Sequence, residues 1–501
     1  MSNTKTPSRQ QQRKGFYQIL RQTQAEQGLK PKEKTALPNH KSHFKTPEEE
    51  QAGRQEIVEA QLKTFRPMLP SLLKDLNEIE DPRRPGSVKH KLTVILLYGL
   101  LLFVYQIGSR REANRIISEP IFKENLKALF PELETIPHAD TLERLLETID
   151  VETIEEALIH IIQKLMRGKK LRDFLVTKDY LIAIDGTRKM SRPYCWSDKC
   201  LKKRIRGTED QYEYYIYTLE ANLVFSNGLT LPLMTEFLDN TSDVDPESKQ
   251  DCESKGFKRL AARLKDYFPR LAIKVLLDGL YANGPVIELC KKSNWEFMIV
   301  LQDDSLKSVW EEANGLHKLE QENGKEQKWG NREQTFWWVN NIPYEYLRQG
   351  KGKHLTVNVV VCEESWQELD PMGQIITKHS RHAWLSSRIL TKNNVHNYCN
   401  LEARYRWSLE NSFLVEKHQG YGYEHTYSYD WQAMKGYHHL MRLAHLLNNV
   451  VMRGVEIVDW LKEKGIRGLI HFLRQALSGA LLNQASINGL LEKKFQLRLN
   501  T

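Results

Sequence analysis

The hydrophobic periodicity of this chain changes near Tyr180, and this change constrains the fold more than any other feature. From about residue 57 to residue 174, apolar residues recur at the spacing of amphipathic helices. From Tyr180 onwards the apolar runs are short, as in YLIAIDG, and Ser226, Asn227 and Gly228 separate two of them as a hairpin signal. A helical region is therefore followed by a region that contains a sheet.

The elements after Tyr180 alternate between strands and helices. A strand and a hairpin pair are followed by an amphipathic helix, the strand AIKVLLDG, a second helix and the strand EFMIVLQ. Residues 303–387 then interrupt this order with β-type runs and polar turns, which predict an inserted β subdomain. The expected fold class is α/β, with a mixed-sheet core preceded and followed by helical regions.

Composition marks the remaining domain boundaries. Residues 1–54 hold 11 Lys and Arg against 5 Asp and Glu and few apolar residues, which predicts a flexible basic tail. This tail either tethers the protein to DNA by counterion release or is a merely solvated leader. The expected domains are the tail (1–54), a helical accessory and DNA-binding domain (55–176), the α/β core (177–302 with 388–450), the β subdomain (303–387) and C-terminal helices (451–501).

The segment from residue 393 to residue 420 is predicted to form one helix of about seven turns, because an Asn can cap its start and a Gly can end it. Spacings of four and seven residues place Arg406, Glu410 and Lys417 along one face of this helix. A solvated stripe of ion pairs would be the ordinary explanation. Arg on the N-terminal side of Glu is the weaker orientation for such a pair, which favours a functional role for this face.

Two further carboxylates stand at the ends of predicted strands. Asp185 ends YLIAID and Asp278 ends AIKVLLD, and Glu410 can project from a helix packed across the same sheet. Three such carboxylates repel one another unless a cation lies between them. Oxygen ligands select Mg2+ or Mn2+, and two such ions roughly 4 Å apart suit phosphoryl transfer. These three acids are therefore candidate metal ligands and catalytic residues.

The overall composition favours a nucleic-acid partner. The 501-residue chain carries a formal net charge of +9, which suits a polyanion. Its six cysteines lack paired or zinc-finger spacing and predict reduced thiols in a reducing compartment. The first residues lead into no apolar core of a signal peptide, and the apolar run from Leu92 is too short for a membrane span, so it predicts a buried helix. We therefore expect a soluble, cytoplasmic protein without a membrane partner.

Basic residues are concentrated just after Asp185. The segment from Arg188 to Arg206 contains eight Lys and Arg against one acidic residue. Within it, Tyr194 and Trp196 are able to stack on an unpaired base at a cut DNA end. The alternative is an exposed basic loop with buried aromatic side chains.

Three stretches of the chain resemble the DDE-type insertion-sequence transposases, whose catalytic core is ribonuclease-H-like. These stretches are AIDGT around Asp185, LLDGLYANG around Asp278 and YRWSLENSFLVEK around Glu410. The last is similar to the Y-x2-R-x3-E-x6-K signature of that family, with Ala403 at the position of the signature tyrosine. The helical segment before the core and a β insertion before the catalytic Glu also resemble parts of these enzymes.

The resemblance implies a prokaryotic, nucleoid-associated enzyme of mobile elements. It implies that Asp185, Asp278 and Glu410 hold two Mg2+ or Mn2+ ions and that the enzyme acts on terminal inverted repeats and target DNA as a homodimer or higher oligomer. The resemblance implies that Arg406 and Lys417 bind DNA. From the basic segment, we expect Arg188, Lys189 and Trp196 to bind DNA as well.

Other functions are compatible with parts of this pattern. A DNA-binding descendant that has lost catalysis would share the basic segment, and a metal-dependent nuclease without strand transfer would share the acids. A glycosidase also uses paired carboxylates, but it would not account for the basic composition.

Overall fold

A computed structural model describes residues 15, 18, 37, 41–208, 210–240, 250–348, 350–369 and 375–500. The chain is mixed α/β, as the sequence predicts, and it forms two compact units. The larger unit comprises residues 37–273 and 405–501, and the smaller unit comprises residues 274–404 together with residues 1–36. Most of the predicted basic tail lies outside the described residues.

The larger unit begins with seven α-helices. Their bounds are α1 Pro47–Phe65, α2 Leu69–Asn77, α3 Leu92–Val104, α4 Arg110–Ile116, α5 Pro120–Leu129, α6 Ala139–Leu146 and α7 Glu152–Arg167. Helix α1 starts at Pro47 with Thr46 as its N-cap, so the predicted end of the tail at residue 54 lies inside this helix. Helix α3 is buried along its length except at Thr93, which confirms that the apolar run is a core helix. No helix in the described ranges is both long and apolar enough to cross a bilayer.

The strands of the larger unit are built around the third one. They are β1 Tyr180–Arg192, β2 Leu201–Arg204, β3 Tyr212–Val224 and β4 Thr230–Leu238. β1 pairs antiparallel with one edge of β3, while β2 and β4 pair with the other edge. The predicted hairpin between β3 and β4 is confirmed, and Gly228 adopts the positive φ of 84° that its turn requires.

The predicted end of the first strand at Asp185 is wrong. β1 continues to Arg192, and Asp185 pairs with Glu220 of β3 in the middle of the ladder. Gly186 is therefore a strand residue and not a turn residue. A Cβ at this position would lie 2.5 Å from the Tyr217 ring. The glycine therefore leaves room for a neighbouring aromatic side chain instead of ending the strand.

The remaining helices of the larger unit pack on these strands or on the first group of helices. They are α8 Glu253–Tyr267, then, after the smaller unit, α11 Trp407–His418, α12 Trp431–Val451, α13 Val458–Gly479 and α14 Gln484–Leu491. Helix α12 is buried along most of its length and packs against α3, α7 and β4. The core of this unit therefore lies between the strands and the helical region.

The smaller unit contains the second group of strands. Its elements are β5 Ile273–Leu277, α9 Gly284–Lys292, β6 Glu296–Val300, α10 Lys307–Leu319, β7 Gly324–Trp329, β8 Arg332–Arg348, β9 Lys351–Leu369 and β10 Ile375–Ser386. Their spatial order is β5-β6-β10-β9-β8-β7, and the β5 and β6 pair is parallel. β10 pairs directly with β6, so the strands of the predicted insertion continue the sheet of β5 and β6.

The single long helix predicted for residues 393–420 is wrong. A π-helix at Asn397–Glu402 is followed by a 3-10 turn at Ala403–Arg406 and then by α11. The π-helix buries both Asn400 and Glu402, which bond to Gln334 and Lys274 within the smaller unit. These buried polar contacts accompany a local departure from α-helical spacing.

Candidate active site

Arg406 joins two of the three predicted acids in the larger unit. Its Nη1 donates to Oδ2 of Asp185 at 2.9 Å, and its Nη2 donates to Oε1 of Glu410 at 2.8 Å. The side chains of Arg406, Asp185 and Glu410 are 11%, 18% and 50% exposed, respectively. Two carboxylates from distant parts of the sequence therefore face one guanidinium that solvent can still reach.

The backbone around Asp185 fixes its side chain on β1. Its Oδ1 accepts a hydrogen bond from the Gly186 N–H at 2.8 Å. The Tyr217 ring covers Gly186, and its hydroxyl donates to Oε1 of Glu253 at 2.6 Å. The close approach of this ring requires glycine after Asp185, and this explains the Asp-Gly pair in physical terms.

Helix α11 carries Glu410 and is anchored by buried polar contacts. Glu416, on the same helix, accepts hydrogen bonds from Nη1 of Arg442 at 2.9 Å and Nδ1 of His445 at 2.6 Å. Ser412 accepts one from Asn222 of β3 at 3.2 Å. These contacts connect α11 to α12 and to β3, so they set the position from which Glu410 projects.

Glu220 stands at the centre of the same buried network. It bonds to Thr218, Thr235 and Tyr423, and Arg442 and His438 lie 3.2 Å from its two oxygens. Burial by itself would raise the pKa of Glu220, but Arg442 and His438 hold that pKa well below its usual range. The acid is therefore a stable buried anion with several partners.

The DNA-binding residues predicted in the basic segment all contact other parts of the protein. Arg188 donates to Glu213 at 2.8 Å and lies over the Tyr215 ring. Lys189 is buried and donates to the Tyr423 carbonyl at 2.9 Å, and burial lowers its pKa to about 8. Trp196 is partly buried against a hydrophobic cluster. Their role toward DNA stays a prediction.

Lys417 also has partners within the larger unit. Its Nζ donates to the Arg188 carbonyl at 3.2 Å and lies 3.1 Å from Glu424, and its side chain is 17% exposed. Arg406 and Lys417 thus both approach β1, one at Asp185 and the other at Arg188. Both cations thus lie beside the strand that carries Asp185. Their contact with phosphate stays a prediction.

Asp278 lies in the smaller unit, directly after β5. Its carboxylate caps the 3-10 turn Gly279–Tyr281 by accepting from the Leu280 N–H at 3.0 Å. The prediction that this acid follows the end of a strand is confirmed. Its participation in a site with Asp185 and Glu410 stays a prediction.

Ala403 stands at the position where the resemblance expects a tyrosine, and Tyr405 follows two residues later. Ala403 is buried and carries no aromatic ring. Tyr405, two residues later, donates its hydroxyl to the Ser226 carbonyl in the β3–β4 turn, and burial raises its pKa. Tyr405 therefore fixes α11 to a turn of the sheet.

Sequence reasoning missed the network of Glu220, Glu416 and Arg442. His438, His439 and His445 on α12 are buried as well. The acids and Arg442 lie on three different elements, so no spacing in the sequence indicates their pairing. A charged residue in the apolar stretch LMRLAHLL was the one available signal.

A comparison with protein families gives a match over part of the chain. Residues 73–162 match a family model described as DDE_Tnp_1-associated. This match suggests a DDE-type transposase. It covers the region from within α2 into α7, where the sequence resembles the accessory domain of such enzymes. No curated protein matches the chain.

Transposases of the DDE type generally depend on a divalent metal, so we tested whether the acids fit one. The described residues contain no group of three or more Asp, Glu, His or Cys side chains arranged to hold a metal ion. Asp185 and Glu410 nevertheless offer the oxygen donors that Mg2+ and Mn2+ prefer, and both already face a cation, Arg406. In donor type and charge, these two residues fit such an ion.

Proposed function

We propose that the protein is a DDE transposase that binds terminal inverted repeats, hydrolyses a phosphodiester bond and joins the released 3′-OH to target DNA. One observation carries the proposal: Asp185 and Glu410, which are 225 positions apart in the sequence, meet at the guanidinium of Arg406. The family match to residues 73–162 supports the same conclusion independently, because it lies outside these residues.

The three acids have a shared role in this proposal. Asp185, Asp278 and Glu410 are the residues that would hold Mg2+ or Mn2+. When bound, such ions supply an activated water nucleophile and stabilise the leaving oxygen of the scissile bond. A ribonuclease-H-like core, in which strands and a helix present these acids together, is part of the same proposal.

Arg406 and Lys417 act on the DNA backbone in this proposal. Arg406 balances the charge of Asp185 and Glu410 while DNA is absent, because two unscreened carboxylates would repel each other. Its Nε is buried and has no hydrogen-bond partner among the described residues, so the Nη atoms, which donate to the two carboxylates, are the donors available to a phosphate oxygen. In this proposal both cations stabilise charge that develops on the phosphate during cleavage.

The decisive experiment incubates the protein with its own flanking genomic DNA and Mg2+ and maps the cut and joined ends. We expect cuts at repeat ends and joined products that disappear in Asp185→Asn. The matched control is Asp459→Asn on α13, because the Asp459 side chain is 94% exposed and far from these acids in sequence. Cleavage without joining would favour the nuclease, and binding without cleavage would favour the inactive descendant.

A further inference from the structure

Three tyrosines of the larger unit expose much of their rings. Tyr194 is 52% exposed, Tyr429 is 50% exposed and Tyr212 is 36% exposed. Aromatic rings dominate the energetics of interfaces, and a group of them beside one another on a surface indicates a binding site. The residues around these rings indicate the class of ligand that the surface can bind.

The first two tyrosines form an ordered pair. The Tyr194 hydroxyl donates to the Tyr429 hydroxyl at 3.3 Å, and Arg192 donates to Thr426 at 2.5 Å and to the Tyr429 hydroxyl at 3.5 Å. Trp196 packs edge-on against Tyr429 with ring centroids 5.7 Å apart. The rings are thus held in place before any ligand arrives, which lowers the entropy cost of binding.

Tyr212 belongs to a second group on β2 and β3. Arg192 and Lys202 stand on either side of Tyr214 in the ladder, and Arg204 stands opposite Tyr212. The Lys202 ammonium lies 5.7 Å from the centre of the Tyr212 ring. Because side chains alternate along a strand, these residues share one face of the sheet.

The face of the sheet that carries Tyr212 and Tyr214 is continuous with the hydrophobic core. Met190 and Ile216, one pair further along β1 and β3, lie on the same face and are buried with Trp431 of α12. Beyond that pair the face becomes exposed at Tyr212 and Lys202. Glu213, the acid between Tyr212 and Tyr214, alternates to the opposite face, where it binds Arg188.

We propose that this tyrosine surface, formed by Tyr194, Tyr212, Tyr214, Tyr429, Arg192, Lys202 and Arg204, binds single-stranded DNA. Exposed aromatic rings stack on unpaired bases, and the three cations bind the phosphates of the same strand. In a duplex the bases stay stacked on one another. The cations can then bind its phosphates, but the tyrosine rings have no free base to stack on. The inference rests on the proposed function for its choice of DNA.

The surface differs from the one expected from sequence. Trp196, which like Tyr194 was expected to be able to stack on an unpaired base, is partly buried against Trp431 and the core cluster, and its own contact with a base stays a prediction. Tyr429, which is more than 200 positions away, presents the exposed ring instead. Trp196 therefore supports the stacking residue from behind.

The test measures binding of the full chain to fluorescent oligothymidine and to a duplex of equal length, in EDTA so that no cleavage occurs. We expect Tyr194→Ala/Tyr429→Ala to weaken single-strand binding at least fivefold and duplex binding less than twofold. The control, Tyr194→Phe/Tyr429→Phe, keeps both rings and removes only their hydroxyls, so it should bind oligothymidine like the wild type. Melting temperatures verify that the variants fold.

Three results would overturn the inference: unchanged oligothymidine binding in the alanine variant, an equal loss for the duplex, or equally tight binding of polyglutamate by the wild type. The last result would make the surface a general polyanion or protein site. Failure of the proposed function is separate, because a protein that binds oligothymidine through these rings but never cuts DNA would keep this inference and lose the transposase activity.

Discussion

Arg442 and Arg406 of the larger unit each lie between two carboxylates, and their two arrangements differ in solvent access. Arg442 contacts Glu220 and Glu416 on β3 and α11, and all three side chains are at most 1% exposed. Thr235, Tyr423 and His438 also bond to Glu220. This bridge connects elements of the core and cannot bind an external ligand.

The second arginine, Arg406, lies between Asp185 and Glu410 at similar distances, but the half-exposed Glu410 opens this bridge to solvent. The pair between Arg406 and Glu410 contributes little to stability, because water and salt screen the half-exposed carboxylate. Under the proposed function, the same chemical motif stabilises the fold in one place and binds DNA and metal in the other.

The largest effect should come from the exposed acids. Asp185→Asn or Glu410→Gln should reduce Mg2+-dependent cleavage by several orders of magnitude, because each removes a charged donor from the proposed metal site. DNA binding and melting temperature should change little. Robust Mg2+-dependent cleavage by either variant would remove that residue from the site.

The buried bridge should respond in the opposite way. Arg442→Met should destabilise the protein by roughly 3–5 kcal/mol, because it leaves the buried anions Glu220 and Glu416 without their main counter-charge. Denaturant titration measures the loss. The double variant Arg442→Met/Glu416→Gln should recover part of it, and an unchanged unfolding midpoint in the single variant would show that the bridge is not structural.

The pH dependence of stability sharpens the comparison further. Burial lowers the pKa of His438 from 6.5 to about 4, with Lys189 and His439 also lowering it and Glu220 opposing them. Because the unfolded chain binds this proton more readily, stability should fall as the pH decreases from about 6.5 to 4, by on the order of 3 kcal/mol.

His438→Gln should flatten this part of the stability profile, measured by thermal melting in matched buffers. His418→Gln is the control, since His418 lies exposed at the end of α11 and should leave the profile unchanged. An identical slope in wild type and His438→Gln would show that another group titrates.

The sequence predicted the exposed bridge better than the buried one. Glu410 and Arg406 lie four residues apart, so their proximity follows from local spacing, whereas the contact of Arg406 with Asp185 depends on tertiary packing. The buried bridge depends on Arg442 reaching two other elements, which only tertiary packing determines.

The errors in the fold have the same origin. The strand does not end at the predicted Asp185, and Gly186 after it accommodates the Tyr217 ring. The chain before α11 departs from α-helical geometry where Asn400 and Glu402 have buried partners. Each of these features depends on a residue far away in the sequence.

The most direct test of the whole account measures melting temperature and cleavage rate together for Arg406→Ala. If Arg406 acts on DNA, the variant should melt within a few degrees of wild type and cut and join repeat-end DNA at least tenfold more slowly, since a phosphate contact that strengthens in the transition state contributes about 3 kcal/mol. Lys417→Ala should behave in the same way. Near-normal cleavage combined with a clearly lowered melting temperature would contradict the account and make Arg406 a structural ion-pair partner like Arg442.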